Sequence, residues 1–384
     1  MADPGTRTWD VAVVGSGPAG ATASRALARA GASVLLLERA ELPRYKPCGG
    51  GLVGRATLRL KGIPVAPEAV CHRARLTFPD HGLDFVTQRD APIITMVMRP
   101  DFDLTLTRAA TAAGATLATG CAVTGVTRTP SNVTLDTSQG TVRARAVVAA
   151  DGVGSRVATT GGWGRLEAVA PALEWEVPVT PRTLARFSGE ARFDFVMGGA
   201  YAWVFPKRDH LSVGIMGVGP AGDLNRAMVR YLKRLGIRPM GEVARHGHRI
   251  PLAPRPGPLG RDGILLTGDA AGLADPVTGE GISYALESGG LAAEALLGAD
   301  FDPARAANAY QDRLRETLLP ELAAARPLAR LLYGYPRAVK WGFSKYGQRV
   351  CERITDVIAG RGSYRGLLDS RLPEWLKHLA FPPH

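Results

Sequence analysis

The stretch that decides the fold is Trp9-Asp-Val-Ala-Val-Val-Gly15-Ser-Gly17-Pro-Ala-Gly20, a β-branched run that leads directly into three spaced glycines. An alanine-rich segment follows and ends at Gly31, where a helix would stop. Strand, G-x-G-x-x-G and helix in this order form the βαβ fingerprint of dinucleotide-binding folds. Gly15 permits the tight turn, Gly17 lets the backbone approach a pyrophosphate, and Gly20 allows the helix to pack closely on the strands.

A carboxylate ends the second strand of this unit. The apolar run Ser33-Val-Leu-Leu-Leu37 leads into Glu38, which stands 18 residues after Gly20. An acid at this point can accept hydrogen bonds from both ribose hydroxyls of an adenosine. The sequence therefore predicts a dinucleotide with an unphosphorylated adenosine ribose, but the fingerprint alone does not separate FAD from NAD.

Composition excludes several classes of protein. The chain has 384 residues, of which 46% are hydrophobic, so it can form a large core and differs from disordered or collagen-like chains. The net charge of +12 permits attraction to anionic lipid or acidic metabolites, but no zinc-finger or RNP-like pattern supports nucleic acid as a partner. No apolar run of about 18 residues occurs, so no membrane-spanning helix is predicted.

The cysteines and the amino terminus indicate the compartment. The four cysteines stand far apart, at 48, 71, 121 and 351, without a C-x-x-C pair, so they indicate neither a zinc site nor a disulfide framework. The opening Met1-Ala-Asp-Pro-Gly lacks the basic and apolar runs of a signal peptide. We therefore expect a cytoplasmic protein without a bound metal, which would meet a membrane only from its surface.

Three later motifs are typical of flavoproteins. Arg99 opens a predicted helix that ends near residue 114, Asp151-Gly152 follows a strand predicted for residues 142–150, and Gly268-Asp269 ends a buried strand ahead of Gly281-Ile282. With the first motif, these resemble the large FAD-dependent class typified by aromatic hydroxylases. The resemblance implies FAD as cofactor, with Asp269 at its ribitol chain and free N–H groups at residues 281 and 282 for the flavin's carbonyl edge. Either aspartate is also compatible with a turn or a helix cap.

A narrower resemblance depends on two further segments. Lys46-Pro-Cys48-Gly-Gly-Gly51-Leu follows the Glu38 turn, and Tyr201-Ala-Trp203-Val-Phe205-Pro-Lys207 lies in a predicted strand. Both are similar to motifs of the geranylgeranyl reductase family, Pro-Cys-Gly-Gly/Ala-Gly and Tyr-x-Trp-x-Phe-Pro, and the resemblance runs from about residue 9 to 325. It implies a Rossmann-type FAD-binding domain of the glutathione-reductase and aromatic-hydroxylase kind, an antiparallel β-sheet substrate domain and C-terminal helices.

The same resemblance assigns roles to individual residues. Tyr201, Trp203 and Phe205 alternate along a strand, so they face one side and would form an apolar lining for an isoprenoid chain. Cys48 beside the flavin would tune its electronics, donate a proton or only fill space, and Tyr201 is the second candidate proton donor. The residues expected at the cofactor are Gly15, Gly17, Ala19, Gly20, Glu38, Arg39, Cys48, Gly49, Gly51, Arg99, Val123, Asp151, Gly152, Asp269, Gly281 and Ile282.

The pattern of predicted elements divides the chain. A discontinuous FAD-binding domain is expected over 1–70, 92–158 and 256–300, and a strand-rich substrate domain over 71–91 and 159–255. The region 301–384 is predicted to be helical, with 305–325 as its clearest helix. Within it, residues 326–349 interleave basic residues with Leu, Tyr, Trp341 and Phe343, which is typical of a helix at a lipid surface and equally of a helix that covers the substrate cavity.

These observations favour a flavoenzyme that reduces C=C bonds of a prenyl chain on a lipid, quinone or pigment precursor. No second well-placed G-x-G-x-x-G occurs, so NAD(P)H or another reductant would be a transient electron donor. The first alternative is an FAD-dependent monooxygenase that hydroxylates an aromatic or protein-bound substrate. The second is a non-catalytic prenyl-lipid carrier, against which the intact Glu38, Asp269 and Gly281 argue.

Overall fold

The computed structural model describes residues 7–60, 62–129, 132–196, 199–218 and 222–369. Residues 1–6 and 370–384, which begin the first predicted domain and end the predicted helical region, lie outside the described residues. The strands are β1 (Thr8–Val14), β2 (Val34–Leu37), β3 (Gly51–Val53), β4 (Ala69–Cys71), β5 (Arg73–Phe78), β6 (Leu83–Gln88), β7 (Ile94–Met96), β8 (Thr116–Ala118), β9 (Val123–Arg128), β10 (Val133–Thr137), β11 (Gly140–Ala149), β12 (Val169–Pro178), β13 (Glu190–Val196), β14 (Ala200–Pro206), β15 (His210–Gly217), β16 (Ala244–Pro251), β17 (Gly260–Arg261) and β18 (Ile264–Leu266). The helices are α1 (Pro18–Arg29), α2 (Gly54–Arg59), α3 (Arg99–Ala112), α4 (Arg156–Thr160), α5 (Pro181–Phe187), α6 (Leu224–Arg234), α7 (Gly268–Ala271), α8 (Ile282–Gly298), α9 (Pro303–Glu316), α10 (Leu318–Gly334), α11 (Pro336–Ile358) and α12 (Tyr364–Asp369).

A parallel sheet holds the first motif. Its strands lie in the order β8, β2, β1, β11 and β18, with β17 antiparallel at one edge and the β9–β10 hairpin paired to β11. The residues of β2 are all buried, as expected for a parallel strand covered on both faces. Helix α1 crosses α8 so closely that a Cβ atom at Gly289 would lie 2.2 Å from the carbonyl oxygen of Ala19. This close packing sets the position of the α1 amino terminus.

A seven-stranded sheet carries the aromatic motif. Its order is β16, β12, β15, β14, β13, β5 and β6, and every pair is antiparallel except the parallel pair β13–β5. Along β14, Tyr201, Trp203 and Phe205 belong to the core cluster on one face, whereas Ala202 and Val204 belong to the cluster on the other. The helices α5 and α6 cover the second face, and the first face lines the cavity described below and also packs against α10 and α11.

A third, small sheet carries the end of the Cys48 motif. Strands β3 and β4 both pair with β7 in antiparallel fashion, and β3 begins at Gly51, the last glycine of the Cys48 motif. The Cys48 motif is therefore held by a strand at its carboxyl end. The seven-stranded sheet takes its strands from residues 73–88 and 169–251, and the parallel sheet takes its core strands from 8–37, 116–149 and 264–266.

The described part of the carboxy-terminal region is helical, but the single helix predicted for 305–325 is wrong. The helix is interrupted at Thr317, which separates α9 from α10. Pro320 explains the break, because its ring has no N–H and clashes with the carbonyl group of Glu316, four residues earlier. The stretch 326–349 is likewise divided, since α10 ends at Gly334 and α11 begins at Pro336.

Helix α11 packs on β6. Gly347 lies against the ring of Phe85, where a Cβ atom would be 2.1 Å from the ring carbon Cζ. Phe343 is buried and its ring centroid is 4.6 Å from that of Phe78, whereas Trp341 is 56% exposed. Of the described helices, none combines the length and the apolar character needed to span a membrane.

Candidate active site

One cavity of about 550 Å³ gathers the sequence motifs. It lies where the carboxyl ends of β1 and β11 meet the aromatic face of the seven-stranded sheet, and α8 and α11 also contribute to its wall. Of the predicted site residues, only Gly20 does not line it. Those that do are Gly15, Gly17, Ala19, Glu38, Arg39, Cys48, Gly49, Gly51, Arg99, Val123, Asp151, Gly152, Tyr201, Trp203, Phe205, Asp269, Gly281 and Ile282.

The three glycines of the first motif have different structural roles. Gly15 has φ of +98°, and a Cβ atom there would lie 2.5 Å from the carbonyl oxygen of Ala150. A Cβ atom at Gly20 would lie 1.9 Å from the carbonyl oxygen of Gly15, so this glycine allows the helix to pack on the turn. Gly17 has only the tip of Arg44 within 4 Å and precedes the first turn of α1, which has no side-chain cap. The amino terminus of α1 is thus an anion site that opens on the cavity.

Glu38 is 3% exposed and has several donors. Its Oε2 accepts hydrogen bonds from the Ser16 backbone N–H (3.0 Å) and hydroxyl (2.8 Å), and its Oε1 accepts one from the Ala40 N–H (3.1 Å). Arg44 Nε lies 3.1 Å from Oε2. Burial works to raise the pKa of this carboxyl, but Arg44 and these hydrogen bonds outweigh it and lower the pKa below its ordinary value. Glu38 therefore remains an anion that can also accept a hydrogen bond from a hydroxyl group of the ligand.

Arg99 and Arg44 share a buried acid. Arg99 donates from Nε and Nη2 to both oxygens of Asp103, each at 2.8 Å, and Arg44 Nη1 lies 3.2 Å from Asp103 Oδ2. Burial disfavours the Arg99 cation, but Asp103 and then Cys48 raise its pKa above the ordinary value. The pair Arg99–Asp103 is an i, i+4 pair within α3, so the arginine is held in one orientation at the cavity wall.

The two later aspartates differ in how their oxygens are used. Asp151 accepts from the Ser155 hydroxyl (2.5 Å) and from the N–H groups of Arg156 (2.7 Å) and Val157 (3.1 Å), so its carboxylate caps α4. Asp269 lies in the first turn of α7, with its Oδ2 3.9 Å from His248 Nε2. Burial works to raise the pKa of Asp269, but His248 and Lys46 lower it below its ordinary value. Asp269 is therefore the aspartate with oxygens available to a ligand.

The Cys48–Gly51 segment, here called the glycine loop, passes beneath the aromatic wall, which we define as Phe193, Tyr201, Trp203 and Phe205. A Cβ atom at Gly49 would lie 2.7 Å from Trp203 Nε1 and 2.8 Å from a Phe205 ring carbon. Side chains other than hydrogen are therefore excluded where the loop meets the wall. The loop turns back on itself, with the Gly50 N–H donating to Cys48 Sγ at 3.4 Å.

The aromatic wall is continuous. The Tyr201 ring centroid lies 6.1 Å from that of Phe193 and 5.9 Å from that of Trp203, and Phe193 meets Phe205 edge-on at 5.5 Å. Burial raises the pKa of the Tyr201 phenol well above its ordinary value, so the phenol keeps its proton. The cavity thus has a polar, helix-terminated side and an apolar, aromatic side.

The sequence of this chain is similar to proteins of one family. The family described as FAD binding domain matches residues 8–197. Digeranylgeranylglycerophospholipid reductase 1 of Methanopyrus kandleri is 33% identical over 360 residues, covering 84% of this chain and 90% of that protein. The chain belongs to the geranylgeranyl reductase family. The chloroplastic geranylgeranyl diphosphate reductase of Arabidopsis thaliana is 30% identical over 323 residues, which are 76% of this chain and 66% of the plant protein.

Solved structures show the same architecture. A geranylgeranyl bacteriochlorophyll reductase-like protein from Thermoplasma acidophilum superposes with a TM-score of 0.75 at 22% identity, covering 97% of this chain and 96% of that one. A flavin-dependent brominase superposes with a TM-score of 0.74 at 22% identity, covering 92% and 94%. The predicted fold class and the predicted family are confirmed. The brominase shows that this fold also supports other flavin chemistry.

This family member is an FAD-dependent oxidoreductase, and its cavity fits that cofactor. The uncapped amino terminus of α1 suits a pyrophosphate, and Glu38 with its lowered pKa suits a ribose. Gly281 and Ile282 line the cavity at the start of α8. In this first turn the Ser283 N–H donates a hydrogen bond to the Glu280 carboxylate at 2.6 Å. A second helix start thus faces the same cavity.

Several polar residues of this site were missed by sequence reasoning. Arg44, Lys46, His248 and Glu280 all line the cavity, and Lys207 lies just behind it. Lys46 and Lys207 stand within the two motifs quoted from the sequence, so their position beside motif residues was the available signal. His248 lies in β16 with no local motif around it, and only the pairing of β16 with β12 brings it to Lys46, whose Nζ is 2.7 Å from His248 Nε2.

Proposed function

We propose that this enzyme reduces C=C bonds in a prenyl chain of the geranylgeranyl type, carried by a lipid, quinone or pigment precursor. The observation that supports this most is the aromatic wall, which faces the cavity directly over the glycine loop. A prenyl chain has no hydrogen-bonding groups along its length, so burial against such a wall supplies its binding free energy. The names of the relatives in plants and archaea point to the same substrate class.

Different residues of the cavity would have different roles in such a reduction. Reduced FAD, when bound, supplies the hydride from N5 to one alkene carbon. The aromatic wall orients the alkene and excludes water. A proton must reach the other alkene carbon, and we assign it to Cys48 or Tyr201, which both line the cavity. Each reduced bond gains two hydrogens, and NAD(P)H or another reductant restores the electrons.

The test is an anaerobic turnover experiment with the FAD-loaded protein, a chemical reductant and a geranylgeranyl-bearing lipid. We expect a product whose mass increases by two hydrogens for each reduced bond. Substrate-dependent oxygen uptake with an oxygenated product, and no anaerobic turnover, would instead identify a monooxygenase. A protein that binds the lipid and shows no flavin absorption after reconstitution would be a carrier.

Two variants separate the proton donors in that assay. Cys48→Ala removes the thiol, and Tyr201→Phe keeps the aromatic wall while it removes the hydroxyl group. The variant that lacks the donor should lose about 100-fold in the rate of alkene reduction, as expected for loss of a general acid. The other variant should stay within about threefold of the wild-type rate. Equal, small effects of both substitutions would show that water delivers the proton.

We also propose that the surface of α10 and α11 meets anionic lipid. Residues 326–349 contain six basic residues and no acidic one, and all six are exposed: Arg326, Arg330, Arg337, Lys340, Lys345 and Arg349. Trp341 and Tyr335, 56% and 52% exposed, supply apolar surface between these charges. Phe343 is buried on the opposite side, so it belongs to the packing of α11 and not to this surface. Such a surface fits a bilayer that carries negative charge.

Vesicle binding tests this surface. The protein should cosediment with vesicles that contain phosphatidylglycerol and not with phosphatidylcholine vesicles, and added salt should release it. The double variant Lys340→Glu with Trp341→Ala should lose this binding and keep its FAD. Unchanged binding of the double variant would refute the assignment of this surface.

A further inference from the structure

Lys207 is buried where the chain turns at the surface. It follows β14 in the hairpin to β15, and its N–H donates to the His210 carbonyl group at 2.9 Å. The side chains of the next two residues, Arg208 and Asp209, are 70% and 84% exposed. Lys207 itself is only 3% exposed, because its side chain turns inward instead of following its neighbours into solvent.

The ammonium group of Lys207 joins two segments of the cavity wall. Its Nζ donates to the carbonyl oxygens of Gly49 and Val97, both at 2.8 Å. Gly49 follows Cys48 in the glycine loop, and Val97 stands two residues before Arg99. The two segments are also bonded directly, since the Val97 N–H donates to the Gly50 carbonyl group at 2.8 Å. Lys207 therefore lies behind the glycine loop, one peptide away from the cavity.

The absence of a side chain at Gly50 leaves the space that the Lys207 ammonium group occupies. Gly50 has φ of +64°, and a Cβ atom there would lie 2.7 Å from Lys207 Nζ and 2.1 Å from the Val97 carbonyl oxygen. A larger residue at position 50 would therefore displace both Lys207 and the backbone at Val97, just after β7. The run of three glycines is explained by contacts on both sides of the loop, with the aromatic wall in front and Lys207 behind.

Lys207 carries its charge without a close acid. Among the described residues, no carboxylate oxygen lies within 4 Å of its Nζ. Burial lowers the pKa of Lys207 to about 8, and the more distant Cys48, Glu174, Glu68 and Glu176 offset this only in part. An apolar side chain would fill the same space without the cost of burying a charge, so the charge itself requires an explanation.

We propose that Lys207 is a positioning residue, whose ammonium group holds the glycine loop at the cofactor and places behind it a positive charge that favours reduced FAD over oxidised FAD. The physical reason is that reduced flavin carries negative charge at neutral pH, and a buried cation behind a thin backbone wall is poorly screened. The inference depends on FAD as the cofactor and not on the identity of the substrate.

The experiment compares three variants of the full chain at pH 7. Lys207→Met removes both the charge and the donors, Lys207→Gln keeps N–H donors without the charge, and Lys233→Met is the matched control, an exposed lysine on α6. The readouts are the dissociation constant of oxidised FAD and the midpoint potential of the bound flavin. Lys207→Met should weaken binding of reduced FAD relative to oxidised FAD about tenfold, a fall of about 30 mV for a two-electron couple. Lys207→Gln should show the same fall, and the control none.

The pH dependence separates charge from structure. The difference in midpoint potential between wild type and Lys207→Met is measured at about pH 7 and about pH 10, so titrations that Lys207 does not influence cancel. Because the pKa of Lys207 is about 8, its charge is present at the lower pH and absent at the higher one. The difference should therefore be largest at the lower pH and vanish at the higher pH.

Two outcomes would overturn the proposal. One is a midpoint potential of Lys207→Met equal to that of Lys233→Met at pH 7, and the other is a difference that does not change with pH. If Lys207→Met fails to fold, Lys207→Gln is measured in its place by the same protocol, with the same expected results. No prenyl substrate is needed, so failure of the proposed reductase activity would leave these measurements intact.

Discussion

The two sides of the cavity are built in different ways. The nucleotide side, formed by the Gly15–Gly20 turn with Glu38 and Arg44, depends on backbone close packing and on hydrogen bonds to a buried anion. The aromatic wall depends on side chains that meet across strands, where rings can shift by rotation. We therefore expect substitutions on the nucleotide side to affect folding and FAD affinity, and those at the aromatic wall to affect binding of the proposed prenyl substrate.

The largest expected effect tests the packing beneath the nucleotide side. Gly289→Ala places a Cβ atom 2.2 Å from the backbone oxygen of Ala19, so α8 must move away from α1. We expect the free energy of unfolding to fall by about 3 kcal/mol, measured by urea denaturation. The neighbouring Gly290 has no atom within 4 Å of such a Cβ, so Gly290→Ala should instead raise it by about 1 kcal/mol. Equal effects of the two substitutions would contradict this account of the helix crossing.

The next effect concerns the buried anion. Glu38→Gln removes the charge that Arg44 and the Ser16 donors surround, and a neutral amide is a weaker acceptor for a ribose hydroxyl. We expect FAD to bind about 30-fold more weakly, or about 2 kcal/mol, in a fluorescence titration. The nearby exposed acid provides the control, and Glu41→Gln should leave the affinity within about twofold. FAD affinity that is equal in the two variants would remove Glu38 from the binding site.

A smaller effect is expected at the aromatic wall. Gly214 of β15 lies across from Trp203, and a Cβ atom there would overlap the indole ring at 1.8 Å. Because the ring can shift, Gly214→Ala should reshape the cavity and raise the KM for a prenyl substrate about tenfold, with FAD affinity unchanged within about threefold.

The matched control for that change is Gly247→Ala in β16, where the nearest atom is 3.9 Å from the added Cβ. Tryptophan emission of the protein should change in the Gly214 variant and not in the Gly247 variant. If Gly214→Ala instead abolished FAD binding, the two sides of the cavity would not be separable in the way described above.

The same contrast explains what the sequence could predict. The turn at residues 15–20 and Glu38 were predictable because their geometry is local, and the alternation of β14 was predictable from its period of two. Lys207 was not, since a lysine at a hairpin is ordinarily exposed, and only the tertiary fold directs it under Gly49. The break at Thr317 was readable from Pro320, but the helical periodicity on both sides concealed it.

The smallest effect is a pH dependence that only the nucleotide side should show. Burial disfavours the Glu38 anion, but Arg44 and Ser16 lower its pKa below the value of the unfolded chain. Between these two pKa values the unfolded chain binds more protons than the folded protein, so this contribution to stability is complete above about pH 4.5 and is lost as the pH falls further. The difference in unfolding free energy between wild type and Glu38→Gln, measured without FAD, should therefore narrow from about pH 6 to about pH 3. A difference that widens toward acid would mean that burial and not Arg44 dominates the carboxyl, and Glu38 would then reach the ribose as a neutral acid.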